Sequence, residues 1–272
     1  MAASGFADAA RKVLCGFFNL IFPDECRVCG ESLREVSRIP VCSRCLAEPT
    51  ILIAEHYCVA CRTPFVTPYP LDDSGRCGLC RSGLQGFDAV YSYGSYEGAL
   101  RKLIHLYKYN GVEPLAAPFG RFLAQVLPRD QHFDVIVPMP LHWRKRWQRG
   151  FNQAELLAKE ISRRWNVPIE KAVRRRRNTI AQAGLSNAQR RKNVAHVFEA
   201  RKGRPLEGKR VLLVDDVFTT GATASSCARV LKRAGAAHVT LLALARTDRR
   251  AATEELRDSK AATAASGGVN RL

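Results

Sequence analysis

No uninterrupted apolar run among the 272 residues approaches the roughly 18 that a membrane-spanning helix needs. Near the N-terminus only Val13–Phe22 comes close, and it is broken by Gly16 and Asn19 before Pro23 stops it. No small-residue cleavage site follows, which argues against a secretory signal. Cytoplasmic residence is the expectation, with peripheral attachment to the inner face of the membrane as the lesser alternative. Acidic side chains are also scarce, 25 against 43 basic ones. With 46% apolar and 25% charged residues, wholesale disorder is excluded as well. At roughly 150 residues per domain, the length suggests two domains.

The shortage of acid is local. Residues 1–85 hold nine basic and nine acidic side chains, so 86–272 carry the entire excess of +18. Within that half, 142–210 alone has 20 basic and five acidic residues. A block this concentrated attracts polyanions: nucleic acid, nucleotide phosphates or an anionic membrane face. A diffuse excess would instead read as a solvated surface.

Eight of the ten cysteines form four CxxC pairs: Cys26/Cys29, Cys42/Cys45, Cys58/Cys61 and Cys77/Cys80. Two thiolates separated by two residues grip one ion from a tight turn, and two such turns complete a tetrahedral shell. Disulfides compete as a reading, but the chain lacks secretory features and reducing compartments disfavour them. Two structural zinc ions are therefore expected. Sequential pairing gives one ion Cys26, Cys29, Cys42 and Cys45, and the other Cys58, Cys61, Cys77 and Cys80. The spacing does not exclude an interleaved pairing, with the first and third knuckles sharing an ion. No His or carboxylate replaces a ligand, so both sites are closed and structural. Cys15 and Cys227 stand apart in apolar settings and read as small buried hydrophobes.

Phe6, Ala10, Val13, Leu14, Phe17 and Ile21 recur at helical spacing, predicting an amphipathic helix over 6–21. Residues 26–82 have little apolar mass, so metal rather than core burial must hold them, and a boundary falls near Ser82–Gly86. Beyond it, Phe87–Tyr96 reads as strand or hairpin, and Glu97–Tyr109 and Leu115–Leu127 as helices. Asp134–Val137 is a short strand, Gln148–Trp165 a helix, and Ser186–Asn193 a short helix in a basic region. Arg210–Val214 is an apolar strand, Thr223–Ala234 a helix and His238–Leu244 a final strand. Strands alternating with helices give an α/β fold, a parallel sheet with helices on both faces. The Ala/Ser/Gly-rich tail after Arg249 reads as disordered.

The sharpest signal is Val211-Leu212-Leu213-Val214-Asp215-Asp216-Val217-Phe218-Thr219-Thr220-Gly221-Ala222-Thr223. A buried strand delivers two acids at its C-terminal edge, and a short Thr/Gly loop leads into a helix. Ligands of open α/β sheets sit at that edge, and a helix N-terminus with free N–H groups is a phosphate site. Gly221 lets the backbone approach the anion, threonine hydroxyls add donors, and the carboxylates accept from vicinal sugar hydroxyls. A ribose 5-phosphate is the ligand implied.

This segment resembles the 5-phosphoribosyl diphosphate (PRPP) motif of type I phosphoribosyltransferases. Val137-Pro138-Met139-Pro140-Leu141-His142-Trp143 and Arg149-Gly150-Phe151-Asn152-Gln153 narrow the resemblance to the ComF/GntX family of competence and DNA-utilisation proteins. Lys108-Tyr109, Asn178-Thr179, Gln182, Leu185-Ser186, Arg190, Asn193 and Phe198 agree. The match runs from about Leu20 to Leu244. It implies an N-terminal helix (1–24), a double zinc ribbon (25–85), a phosphoribosyltransferase-like domain (86–249) and a tail (250–272). By position, Asp215 and Asp216 would hold the ribose hydroxyls, and Thr219, Thr220, Gly221, Ala222 and Thr223 the 5-phosphate. The loop from Pro138 to Arg144 would meet the diphosphate, with Mg²⁺ bridging it and Arg144 and the arginines of 174–194 assisting its departure. Arg149 would face the same cleft. Residues 174–194 correspond to a hood over the site. For Phe151 and Phe198 packing is the simpler role, and for Asn152 capping.

Two functions follow. One is a protein of DNA uptake or DNA utilisation that binds PRPP and grips single-stranded DNA. Its contacts would be Arg174, Arg175, Arg176, Arg177, Arg190, Arg191 and Lys192, and a helicase or a membrane DNA-uptake channel is a candidate partner. The other is an active phosphoribosyltransferase with an unidentified nitrogen acceptor. No segment is recognisable as a reader of an acceptor base, and the hood is more basic than a small-molecule site requires. Trp143 and Trp147, interleaved with Arg144, Lys145 and Arg146, either stack on bases or anchor their loop.

Overall fold

A computed structural model describes residues 25–33, 37–81, 83–176, 197–203 and 206–247. The expected helices over 6–21 and Ser186–Asn193, Cys15 and the tail after Arg249 lie outside the described residues.

The cysteine-bearing region comes first. α1 (Ser43–Ala47) is capped by Cys42, whose sulfur accepts from the Cys45 amide. β1 (His56–Tyr57) and β2 (Pro64–Phe65) pair antiparallel, and α2 (Gly78–Arg81) carries Cys80. Next come β3 (Ala89–Ser95), α3 (Gly98–Tyr109), α4 (Ala116–Val126), β4 (Val135–Pro138), α5 (Trp143–Arg149) and α6 (Gln153–Trp165). After them come β5 (Val173–Arg175), β6 (Phe198–Ala200), β7 (Arg210–Phe218), α7 (Ala222–Arg233) and β8 (His238–Arg246).

The main sheet has the order β3–β8–β7–β4 and is parallel throughout. Val211–Val214 of β7 are buried on both faces, which is why that stretch shows no polar alternation. Val211 and Leu213 face one core with Cys227, Ala228 and Leu231 of α7. Leu212 and Val214 face the other, with Leu103, Phe119, Leu157 and Ile161 of α3, α4 and α6. Helices thus cover both faces, as expected. Cys227 is fully buried, and burial pushes its thiol well above the usual range.

Each cysteine group joins one of these cores. Cys58, Cys61, Cys77 and Cys80 pack in the α7 core with Phe65, Leu84 and Phe87, while Cys26 and Cys45 pack in the other with Val28 and Val41. The ribbons therefore share apolar packing with the sheet in addition to any metal.

Three elements differ from the sequence expectation. β7 continues through Asp215 and Asp216 to Phe218, because β8 runs on to Arg246 and keeps the ladder paired as far as Phe218↔Arg246. The helix expected at Gln148–Trp165 is two helices, with Gly150 in the left-handed conformation between α5 and α6. β5 and β6 form an antiparallel pair that the arginine run concealed.

Candidate functional site

β4 and β7 end side by side: Pro138 pairs with Val214, and the Met139 amide donates to the Val214 carbonyl at 2.8 Å. The loop opened by Pro138 therefore lies beside Asp215. Asn152 fixes it, donating from Nδ2 to the Met139 carbonyl at 3.1 Å while its Oδ1 caps α6 through the Ala154 amide. Phe151 and Phe198 are buried, in keeping with packing roles.

The two carboxylates are held differently. Asp216 Oδ1 lies 2.8 Å from Lys108 Nζ, both side chains being largely shielded from water. Burial alone would lower the Lys108 ammonium, but Asp216, seconded by Asp215, opposes it and the net shift is upward. Asp215 is pushed up to about 7, first by burial and second by the Asp216 charge, with Lys108 and Arg175 opposing. One of its oxygens accepts from the Asp216 amide at 2.8 Å. The pair thus offers one carboxylate neutralised by a lysine and one poised near neutrality.

Beyond β7, Thr219 and Thr220 lead to Gly221, the N-cap of α7, at φ +76° and with no side-chain cap. A Cβ at Gly221 would come within 2.8 Å of Phe218 Cζ and 2.9 Å of Leu84 Cδ1. Both the left-handed backbone and this packing require glycine there. Thr220 Oγ1 accepts weakly from the Ala222 amide at 3.4 Å, and Thr223 sits in the first turn. An uncapped helix start beside two carboxylates suits a phosphate attached to a polyol.

Basic side chains ring this site. Arg149 stacks its guanidinium over Tyr109 at 5.0 Å. Lys145 is lowered by burial and then by the charges of Arg175, Arg149 and Lys108, which places it among them. Arg144 is exposed and lies over Trp143 at 5.3 Å, with its amide donating to His142 Nδ1. α5 therefore presents Lys145, rather than Arg144, to the basic cluster around the acids.

The arginine run is split by strand alternation. Arg174 and Arg176 are exposed and share Glu199, at 2.8 and 3.5 Å. Arg175 turns the other way, over Phe198 at 5.6 Å, within electrostatic reach of Asp215. Arg177, Arg190, Arg191 and Lys192 lie outside the described residues. Sequence reasoning thus missed the placement of Lys108 and Lys145 at this site, and expected Arg175 there only as one of the hood arginines. Only Lys108 had a signal, its place in the family pattern; its partner is too distant in sequence to be seen locally.

The cysteines resolve into two sequential clusters, Cys26/Cys29/Cys42/Cys45 and Cys58/Cys61/Cys77/Cys80, with all sulfurs in each within 4.8 Å of one another. Cys29 and Cys42 are 3.8 Å apart, Cys58 and Cys80 3.7 Å, and Cys61 and Cys77 3.6 Å. A tetrahedron with Zn–S bonds of about 2.3 Å puts its sulfurs roughly 3.8 Å apart, so both groups fit zinc. The interleaved pairing is excluded. Among the described residues no other metal-binding group of His, Cys, Asp or Glu occurs, and no helix is long and apolar enough to cross a membrane.

Residues 17–81 match the double zinc ribbon domain and 149–264 the phosphoribosyl transferase domain. The chain is 35% identical to DNA utilization protein YhgH of Escherichia coli (strain K12), over 63% of this chain and 78% of that protein. Against the protein of the same name in Salmonella typhimurium the identity is 31%, over 84% and 99%. Against competence protein F of Haemophilus influenzae it is 28%, over 80% and 90%. With zinc-binding cysteine clusters leading into a parallel sheet that ends in paired acids and an uncapped helix, the chain belongs to the ComF family of double zinc ribbon, phosphoribosyltransferase-type proteins.

Proposed function

We propose that this chain binds PRPP with Mg²⁺ at the C-terminal edge of β7, binds single-stranded DNA on its basic half, and serves DNA uptake or DNA utilisation. The observation that carries the first part is the Asp215–Asp216 pair set beside the uncapped start of α7 and ringed by Lys108, Lys145, Arg149 and Arg175. Asp215 and Asp216 accept from the ribose hydroxyls, Thr219–Thr223 cradle the 5-phosphate, and the basic ring neutralises the diphosphate. Mg²⁺, when bound, would screen the diphosphate charge. The names of the relatives and the +15 concentrated in 142–210 support the DNA part.

Transfer of ribose 5-phosphate to a nitrogen acceptor is the alternative, favoured by the phosphoribosyl transferase match over 149–264. In that case Lys145 and Arg149 would ease departure of the diphosphate. A helicase or a membrane DNA-uptake channel remains the candidate partner, which would place the protein at the inner face of the membrane. The test is isothermal titration with PRPP and Mg²⁺, followed by assay of diphosphate release with candidate bases. Binding without release supports the first reading, in which the chain binds PRPP without turnover, and release supports the transferase. No binding overturns both.

A further inference from the structure

None of the seven residues of α5 is buried. A helix this short lies far below the roughly 12–15 residues that hold alone in water, so its ends must hold it. His142 Nδ1 accepts from the Arg144 amide at the start. Gly150 closes the far end in the left-handed conformation, and Arg146 pairs with Glu155 at 2.9 Å. No apolar side chain of this helix is buried in the core, yet the fold fixes its surface in place.

That surface carries Trp143 and Trp147, one turn apart and 64% and 86% exposed. Side chains at that spacing share a helix face. Their exposure removes the reading in which they anchor the loop. Tyr109, also exposed, stands at the other end of the helix beneath Arg149. Every charge on α5 is positive: Arg144, Lys145, Arg146 and Arg149. Rings and cations are stacked on one another, Arg144 over Trp143 and Arg149 over Tyr109.

Alternating rings and cations match the chemistry of a single nucleic-acid strand, whose bases stack on aromatics and whose phosphates seek positive charge. A lipid surface fits poorly, because an interfacial helix needs an apolar face and α5 has no aliphatic residue. We infer that α5 is a stacking platform for single-stranded nucleic acid, with Trp143 and Trp147 receiving bases and Arg144 their phosphates. This rests on the DNA-binding reading above and gives it a location. Lys145, on the same helix, belongs to the basic ring of the sugar-phosphate site, so a strand on the platform would lie at the mouth of that site.

The experiment uses the full chain and an oligo-thymidylate, followed by tryptophan fluorescence and by competition with salt. The third tryptophan, Trp165, stacks on Phe133 and serves as a constant background. Binding should quench the fluorescence. Trp143→Ala and Trp147→Ala should each weaken affinity by about tenfold without changing the salt slope, and Trp147→Phe should restore most of it. If the wild-type chain binds and both alanine variants bind equally well, the platform is wrong while the DNA-binding reading stands. If the wild-type chain does not bind the oligonucleotide, that reading falls and the platform with it. Quenching by phosphatidylglycerol vesicles but not by oligonucleotide would likewise overturn the proposal.

Discussion

Arg246, the last residue of β8, donates from Nη1 to the carbonyl oxygen of Cys61 at 3.0 Å. The same nitrogen reaches the Arg62 carbonyl at 2.7 Å, and Nη2 donates to Thr63 Oγ1, which lies 2.9 Å from Cys61 Sγ. The guanidinium also sits 5.3 Å from the centre of the Phe218 ring, and Phe218 opens directly into Thr219–Thr223. A buried cation therefore ties the second cysteine cluster to the residue that leads into the Thr219–Thr223 loop.

Arg246→Ala should destabilise the chain by about 3 kcal/mol, since an unsatisfied buried polar group costs roughly 1–3 kcal/mol and the buried Cys61 carbonyl and Thr63 hydroxyl would both lose this donor. Arg246→Lys should recover only part, because an ammonium lacks the fork that spans both carbonyls. Urea unfolding followed by circular dichroism measures this. A loss below about 1 kcal/mol would mean that these hydrogen bonds add little.

The two metal clusters should empty in order. Cys58, Cys61, Cys77 and Cys80 are all buried, whereas Cys29 is exposed and Cys42 half-buried. A chelator reaches the first cluster more readily, so zinc release should be biphasic with two ions per chain. Cys26→Ser should remove the fast phase alone. Cys58→Ser should lower the melting temperature of the whole chain, because Cys58 shares a core with Val137 and Val211. Single-phase release in the wild-type chain would contradict this order.

Stability should depend on Asp215 with a definite sign. Its folded value, about 7, lies above the ordinary 3.8, so the native state holds this proton more tightly than the unfolded one. The contribution is complete below about pH 4 and is lost as pH rises to about 7. Asp215→Asn removes the penalty, so the variant should gain most over wild type at and above neutral pH, while losing PRPP affinity. Melting temperatures of both proteins between pH 5 and 8 test this, and parallel curves would refute it.

What the sequence made legible was local. Val211–Thr223 announces strand, acids, loop and helix within 13 consecutive residues, and each CxxC is its own signal. The joining of knuckles was illegible because either pairing satisfies zinc, and only the path of the chain chooses. α5 escaped because a helix with no buried apolar residue writes no apolar period. β5 escaped because an arginine run reads as one charged surface, until pairing with β6 turns alternate members to opposite sides. Lys108 meets Asp216 only through the packing of α3 against the sheet.

That split in the arginine run divides the two binding roles proposed for it. Arg175 lies on the side of Asp215, so Arg175→Ala should weaken PRPP binding by about tenfold or more, the scale of removing one charge-assisted hydrogen bond. It should leave the salt dependence of oligonucleotide binding nearly unchanged. Arg174→Ser with Arg176→Ser should do the opposite, lowering the slope against log salt by about 0.7 for each phosphate no longer neutralised. Glu199 holds both of these arginines at an exposed surface, where an ion pair is worth at most about 1 kcal/mol. A polyanion can displace such a partner. Glu199→Gln should therefore tighten oligonucleotide binding and leave PRPP binding alone. Salt titrations of the three variants decide the matter: if Arg174→Ser with Arg176→Ser leaves the slope unchanged, these arginines are a surface ion pair and the strand runs elsewhere.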